Sequence, residues 1–170
     1  MTSGRLYRSS ASKLSIVNYQ LSTISLIPTI DYIQACFDEY NVRYFNGSLP
    51  PIPIKLSNAR TFLGKVTFIK HRTWLFGEWR YSNFKLRINT RFDLPEDLLQ
   101  DTILHEMIHY YIAVNHLRDT STHGQLFRRE MKRINEQGNR HITISYRLTK
   151  LLQLKELSQN PAPPKVDAAR

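Results

Sequence analysis

Cysteine is almost absent from this chain: its 170 residues hold one, Cys36. One cysteine closes no internal disulfide and builds no cysteine-based zinc site. It gives no sign of an oxidising compartment, so a cytoplasmic location is the expectation. Long apolar runs are missing too. No stretch approaches the roughly 18 consecutive apolar residues of a membrane-spanning helix, and no membrane partner is expected. Acidic residues are lacking from the first thirty positions, which hold Arg5, Arg8, Lys13 and many serines. Their apolar stretches are too interrupted for a secretory leader, and the composition fits an organellar transit peptide only loosely. A flexible or lightly docked N-terminal segment over residues 1–27 is expected instead. Internal repeats and low-complexity blocks are also absent.

What remains is enough for one domain. A hydrophobic content of 41% over 170 residues supports a single core and is short for two. The net charge is +10, which draws a protein towards polyanions, DNA and RNA foremost. A basic surface without any nucleic-acid role is the plainer alternative.

Periodicity predicts an α+β domain. Ile30, Ile33, Phe37 and Tyr40 or Asn41 recur at helical spacing, with Thr29 as cap and Gly47 as stop. After Leu49-Pro50-Pro51, the stretches Ile52–Leu56, Phe62–Ile69 and Phe84–Asn89 read as about three half-buried strands. In the last of them Phe84, Leu86 and Ile88 share one face. The aromatic segment His71–Asn83 reads as a hairpin arm or a loop, its rings packing on the sheet or, less simply, lining a substrate surface. Asp93-Leu94-Pro95-Glu96 predicts a helix start capped by Asp93, with the helix running to about Leu117. Thr122 is the expected cap of a second helix running to about Asn135. Ile142, Ile144 and Tyr146 read as a short alternating stretch, and Leu148–Leu157 as a last short helix before a loose tail. Residues 28–147 are thus the expected domain, and 148–170 a short helix and flexible tail.

The chemistry lies in His105-Glu106-Met107-Ile108-His109. Two histidines four apart on a helix are separated by about 40° around the axis and about 6 Å along it. Their imidazoles can therefore converge on one tetrahedral ion, which suits zinc. Glu106, on the flank of that face, is placed to act as general base on a water that the ion activates for attack on a peptide carbonyl. A chance match to this motif occurs in about one in a hundred chains of this length, so context has to support it. The motif falls deep in an amphipathic helix, where two histidines and a glutamate are otherwise costly to bury.

A third ligand is needed, and three residues compete. His116 lies about 10 Å beyond His109 along the helix and would need a break between them. Glu130 follows His109 by 21 residues on the next helix. His123 is preferred: it heads the stripe Phe127, Met131 and Ile134, and Gly124 beside it allows close backbone approach. Candidates for stabilising the oxyanion are His141, Tyr146, Tyr110 and Tyr111.

His105-Glu106-Met107-Ile108-His109, then His123-Gly124-x-x-Phe127 and Met131-x-Arg133-Ile134-Asn135, resemble the SprT-like family. Tyr44-Phe45-Asn46-Gly47 and Ile142-Thr143-Ile144 are similar to it as well, so the resemblance spans roughly residues 30–147. It implies a zincin-like α+β domain with one zinc ion on His105, His109 and His123, and Glu106 as base. It also implies protein substrates and, as in Spartan-type members acting on DNA-crosslinked proteins, single-stranded or junction DNA as activator, with a DNA- or nucleoid-associated location. Arg128, Arg129, Lys132 and Arg133 form a charged helix face that is the candidate DNA contact, or else an ordinary solvated surface. Many family members carry a Cys-rich zinc ribbon after this domain; a single cysteine leaves no such ribbon in these 170 residues. Two other readings stand beside this one. One is a general peptidase without a DNA role, separable by whether DNA stimulates cleavage. The other is a non-catalytic zinc-containing nucleic-acid-binding module, against which an intact Glu106 and an open fourth metal position argue.

Overall fold

Thr29 opens the first helix as its composition predicts. Its hydroxyl oxygen accepts a hydrogen bond from the Tyr32 amide at 3.1 Å, and the helix α1 runs Ile30–Phe45 to a left-handed Asn46. The fold is known from a computed structural model that describes residues 25–72, 77 and 79–145. In α1, Ile33, Cys36, Phe37, Tyr40 and Tyr44 are buried, whereas Ile30, expected on that stripe, is 49% exposed because it sits in the first turn beyond the core's edge. Asn41 turns its amide to the backbone instead: it donates to Leu49 O at 2.9 Å and accepts from Leu49 N at 3.0 Å. That clamp fixes the turn into the sheet.

Three strands follow: β2 (Ile54–Ser57), β3 (Gly64–Arg72) and β4 (Trp79–Asn89). Their order is β2-β4-β3, with β2 parallel and β3 antiparallel to β4. Leu86 and Ile88 of the central strand are sealed in the core, as their alternation predicts. The aromatic segment is resolved in favour of the hairpin arm, since β3 and β4 pair out to Arg72↔Trp79. A bulge in β4, where the left-handed Asn83 and Phe84 together face Phe68 alone, bends this arm. Of its rings, Tyr81 packs edge-on against Phe68 at 4.8 Å, while Trp79 stays 47% exposed under Lys70. Trp74 and Phe76 lie outside the described residues.

Ser25–Leu26 (β1) pair antiparallel with Leu94–Pro95 (β5). This corrects two expectations. Residues 25 and 26 are regular structure within the segment read as weakly structured. Asp93 does not cap the next helix, because the ladder keeps the chain extended through Pro95, which occupies the cap position without a side-chain bond. That helix, α2 (Glu96–Val114), is buried over nearly its whole circumference from Leu99 to Ile108, as befits a helix packed against α1, the sheet and a third helix. It ends three residues short of Leu117, where His116 adopts a left-handed φ of 53°.

The third helix, α3, runs Gln125–Gly138 and so starts later than Thr122. Gly124 holds the cap position with no side chain, and the carboxylate of Asp119 serves the turn in its place, accepting from Phe127 N at 2.9 Å. Phe127 and Ile134 anchor the helix in the core. Residues 141–145 form no strand. Their backbone is instead held by Asn135, whose side chain donates to Ile142 O at 3.0 Å and accepts from Ile142 N at 2.9 Å. Residues 1–24 and 146–170, with Tyr146 and the stretch Leu148–Leu157, lie outside the described residues. Among the described residues, no helix is long and apolar enough to cross a membrane.

Candidate metal centre

His105 and His109 project from one face of α2, and the α2–α3 turn brings His123 over them. The Nε2 atoms of His105 and His109 lie 3.2 Å apart, those of His109 and His123 3.2 Å, and those of His105 and His123 3.1 Å. Nitrogens around one tetrahedral ion at bonds of about 2.0 to 2.1 Å are separated by about 3.3 to 3.4 Å. The triangle therefore fits an ion almost without adjustment, and no other cluster of this kind occurs among the described residues. The remaining two candidates for third ligand are elsewhere. His116 is exposed and stacks on Tyr81 at 6.1 Å between ring centres. Glu130 is held by Arg133 at 2.9 Å and Arg129 at 3.4 Å.

Three supports fix the triangle. The His105 Nδ1 lies 2.8 Å from the Thr143 carbonyl; a proton donated there leaves Nε2 as the lone-pair donor. Phe127 closes the floor, its ring 4.6 to 4.8 Å from all three imidazoles. Asp119 and Gly124 set the turn that carries His123: a Cβ on Gly124 would stand 2.6 Å from the Asp119 carboxylate carbon, so only glycine lets the two strands of the turn close. Arg128 adds a bond from its guanidinium to His123 O at 3.0 Å.

Burial keeps the imidazoles uncharged. It lowers His109 to about 3, with His105 and His123 adding to the effect. It lowers His105 to about 4, against the pull of the Thr143 carbonyl. His123 is lowered too, by burial and then by Arg128. Neutral imidazole is the metal-binding form.

Glu106 is 6% exposed and lies beside the triangle. Burial raises its carboxyl to about 7, opposed by the Val66 amide and by Lys65. The Val66 N–H donates to Oε2 at 2.8 Å, fixing the carboxylate to the edge of β3. Gly64 makes that approach possible, since a Cβ there would lie 2.7 Å from Glu106 Cγ. Glu106 and the three histidines line one open cavity of about 530 Å³. Its far wall is apolar, formed by Phe68, Tyr81, Ile112 and Leu117.

Of the other sequence candidates, Tyr110 is turned away, its hydroxyl donating to Pro50 O at 3.2 Å. Tyr111 packs on Phe45 at 5.5 Å, and the His141 side chain is exposed. In the basic cluster, Arg129 and Arg133 pair with Glu130, Lys132 lies 3.8 Å from Glu136, and Arg128 holds the histidine turn. Sequence alone does not mark Thr143, Val66 and Asp119 as parts of the site. The first two act through backbone atoms, which carry no side-chain signature. Asp119 is a cap displaced from its usual position, visible only once the turn has closed.

A profile of the SprT-like family matches residues 33–148. The DNA-dependent metalloprotease SPRTN of Rattus norvegicus is 36% identical over 69% of this chain. The DNA-dependent metalloprotease dvc-1 of Caenorhabditis elegans is 36% identical over 66% of it, and human SPRTN 34% over 69%. The matched part makes up 22%, 30% and 23% of those proteins respectively, so the chain spans well under half their length.

Proposed function

The chain belongs to the SprT-like family, and from that membership we propose that it is a zinc-dependent endopeptidase with one metal ion on His105, His109 and His123 and Glu106 as general base. The observation that carries this is the triangle of imidazole nitrogens 3.1 to 3.2 Å apart, with a buried carboxylate in the same cavity. Three nitrogen donors and an open position match a catalytic zinc site. A bound zinc ion supplies Lewis acidity to a substrate carbonyl and acidifies water at its open position.

The chain's own groups do the rest. Glu106, tethered at one oxygen by Val66 N–H, has its other oxygen available to take the proton of the attacking water. The same carboxyl then delivers that proton to the departing amine. A carboxyl raised to about 7 is matched to both duties near neutral pH. The Thr143 carbonyl fixes the tautomer of His105. Phe127 packs beneath the imidazoles and holds their rings in place, while the cavity leaves the metal's open position accessible.

DNA is proposed as activator and DNA-bound protein as substrate, with a DNA-associated location. The support is the net charge of +10 and the similarity to DNA-dependent metalloproteases. Residues 28–147 are read as the peptidase unit, and Arg128, Arg129, Lys132 and Arg133 are the candidates for DNA contact that follow from sequence. The test is incubation of the protein with a DNA-binding protein substrate, with and without single-stranded DNA, beside Glu106→Gln. Cleavage that requires DNA and is absent in the variant is expected. Cleavage independent of DNA leaves a general peptidase, and identical behaviour of the two proteins removes Glu106 from the mechanism.

A further inference from the structure

The sheet has two faces, and they differ in charge. Residues paired directly across strands share a face. Lys55↔Arg87 joins β2 to β4, and Lys65↔Arg87 joins β3 to β4, so three cations stand in one row across the whole sheet. The next pairs along the same face are Thr67↔Lys85, Ile69↔Ser82 and His71↔Arg80, the bulge preserving the alignment. The opposite face holds Val66, Leu86 and Ile88 and packs on the core. The described residues of β2, β3 and β4 include no aspartate or glutamate. No ion pair forms to Lys55, Lys65, Arg80, Lys85 or Arg87 among the described residues. Among the described residues Arg87 meets only the Ser57 hydroxyl at 3.4 Å and the Phe62 ring.

Like charges directly opposite one another weaken a sheet. A row of three, extended by two more and relieved by no acid, is a surface arranged for an external polyanion. The cations of α3 contrast with it, three of the four being engaged by Glu130 or Glu136. Position matters as well. Lys65 sits between Gly64 and Val66 on the strand that borders the metal cavity, and lines that cavity itself. A strand of nucleic acid lying on the outer face therefore runs along the rim of the cleft, where a protein attached to it meets the metal site.

We propose that the outer face of the β2-β4-β3 sheet is the DNA track of this protein, with Lys55, Arg87, Lys65, Lys85 and Arg80 contacting the phosphate backbone. The proposal rests on the DNA dependence put forward above and specifies where it resides. Among the described residues the directly paired positions of this face are mainly Lys, Arg, Thr and Ser, so recognition is chiefly through phosphates and independent of sequence.

The test compares two triple variants of equal charge change. Lys55→Gln/Arg80→Gln/Lys85→Gln removes cations from the sheet face; Arg128→Gln/Arg129→Gln/Lys132→Gln removes them from α3. Binding of a labelled 20-nucleotide single strand is followed by anisotropy across a salt series. Each phosphate contact to a single strand contributes about 0.7 to the logarithmic salt slope, so the sheet variant is expected to lose about 2 from the slope and about 100-fold in affinity at 0.1 M salt. The α3 variant is expected to lose much less. Relief of like-charge repulsion predicts that the sheet variant melts no lower than the parent, and its cleavage of an unattached peptide stays unchanged. Parent-like binding by the sheet variant, or equal losses in both variants, overturns the proposal while the peptidase reading stands. A parent protein that cleaves but binds no DNA removes the DNA dependence, and this face loses its assigned occupant.

Discussion

Glu106→Gln tests the active-site reading in two independent ways. The carboxyl is 6% exposed and its pKa stands at about 7 against an ordinary 4.5, with burial as the main cause. The folded state thus holds the proton more tightly than the unfolded chain does. In the metal-free protein, the stability associated with the protonated carboxyl is complete below 4.5 and is lost as pH rises through about 7. A difference of 2.5 pH units corresponds to about 3 kcal/mol above pH 7.5, and to under about 0.5 kcal/mol at pH 4.5. Glutamine keeps the shape, and its carbonyl oxygen can still accept from Val66 N–H, but it never ionises. The chelated variant should therefore be about 3 kcal/mol more stable than the chelated parent at pH 8 and equal to it at pH 4.5. Urea unfolding at the two pH values measures this, and histidine protonation at the lower pH cancels between the two proteins.

The same variant should retain one ion per chain and lose cleavage by a factor of about 100 to 10,000, the usual contribution of a positioned general base. Equal stability of parent and variant at pH 8 would mean that the carboxylate is hydrated in solution, and the argument from burial would fail. Full cleavage by the variant would remove Glu106 from proton transfer whatever its stability.

Further predictions concern the supports of the site. His123→Ala should reduce metal affinity by more than the roughly 100-fold that loss of an outer-shell partner costs, whereas His116→Ala should leave it unchanged; equilibrium dialysis decides between them. In the Glu106→Gln background, metal uptake at pH 6 should release fewer than about one proton per ion, since His105 and His109 are already neutral there; three ordinary histidines would release about two. Asp101→Ala strands the buried Arg140 guanidinium, now 2.8 Å from the carboxylate, and should cost about 3 to 5 kcal/mol in chemical unfolding. Gly124→Ala should cost about 1 to 3 kcal/mol through its contact with Asp119, and less in an Asp119→Ala background, which a double-mutant cycle in urea resolves.

The elements that sequence made legible are those whose signal is local. Thr29 caps α1 as its type predicts, Leu86 and Ile88 point inward because strands alternate, and the two histidines of α2 meet because helices repeat. The misreadings occur where a distant segment competes. Leu94 and Pro95 look like a helix start until Ser25 and Leu26 pair with them. Ile142 and Ile144 alternate like a strand, but Asn135 takes the backbone of Ile142 before any ladder can form. Thr122 looks like a cap until Asp119 reaches across the turn. His123 was legible through its stripe with Phe127, Met131 and Ile134 and through Gly124 beside it, but its approach to His105 depends on how that turn closes.

The polar residues buried in α2 divide by what satisfies them. Asp101 is held by Arg140 and by the His141 amide at 3.1 Å, and together these pin the segment that carries Thr143 to the metal centre. Thr102 returns its hydroxyl to Leu98 O at 2.7 Å. Glu106 has one amide bond for two carboxylate oxygens, and no cation pairs with it among the described residues. Burying a carboxyl so incompletely satisfied works against stability. Asp101 has a guanidinium beside one oxygen and an amide on the other, and Thr102 a carbonyl, so the lack of a counter-ion at Glu106 belongs to its position and not to the helix as a whole. That position borders the one three-histidine cluster among the described residues, where a carboxyl poised near neutrality can move a proton in either direction. Local instability confined to such a place accords with the proton-transfer role proposed for Glu106.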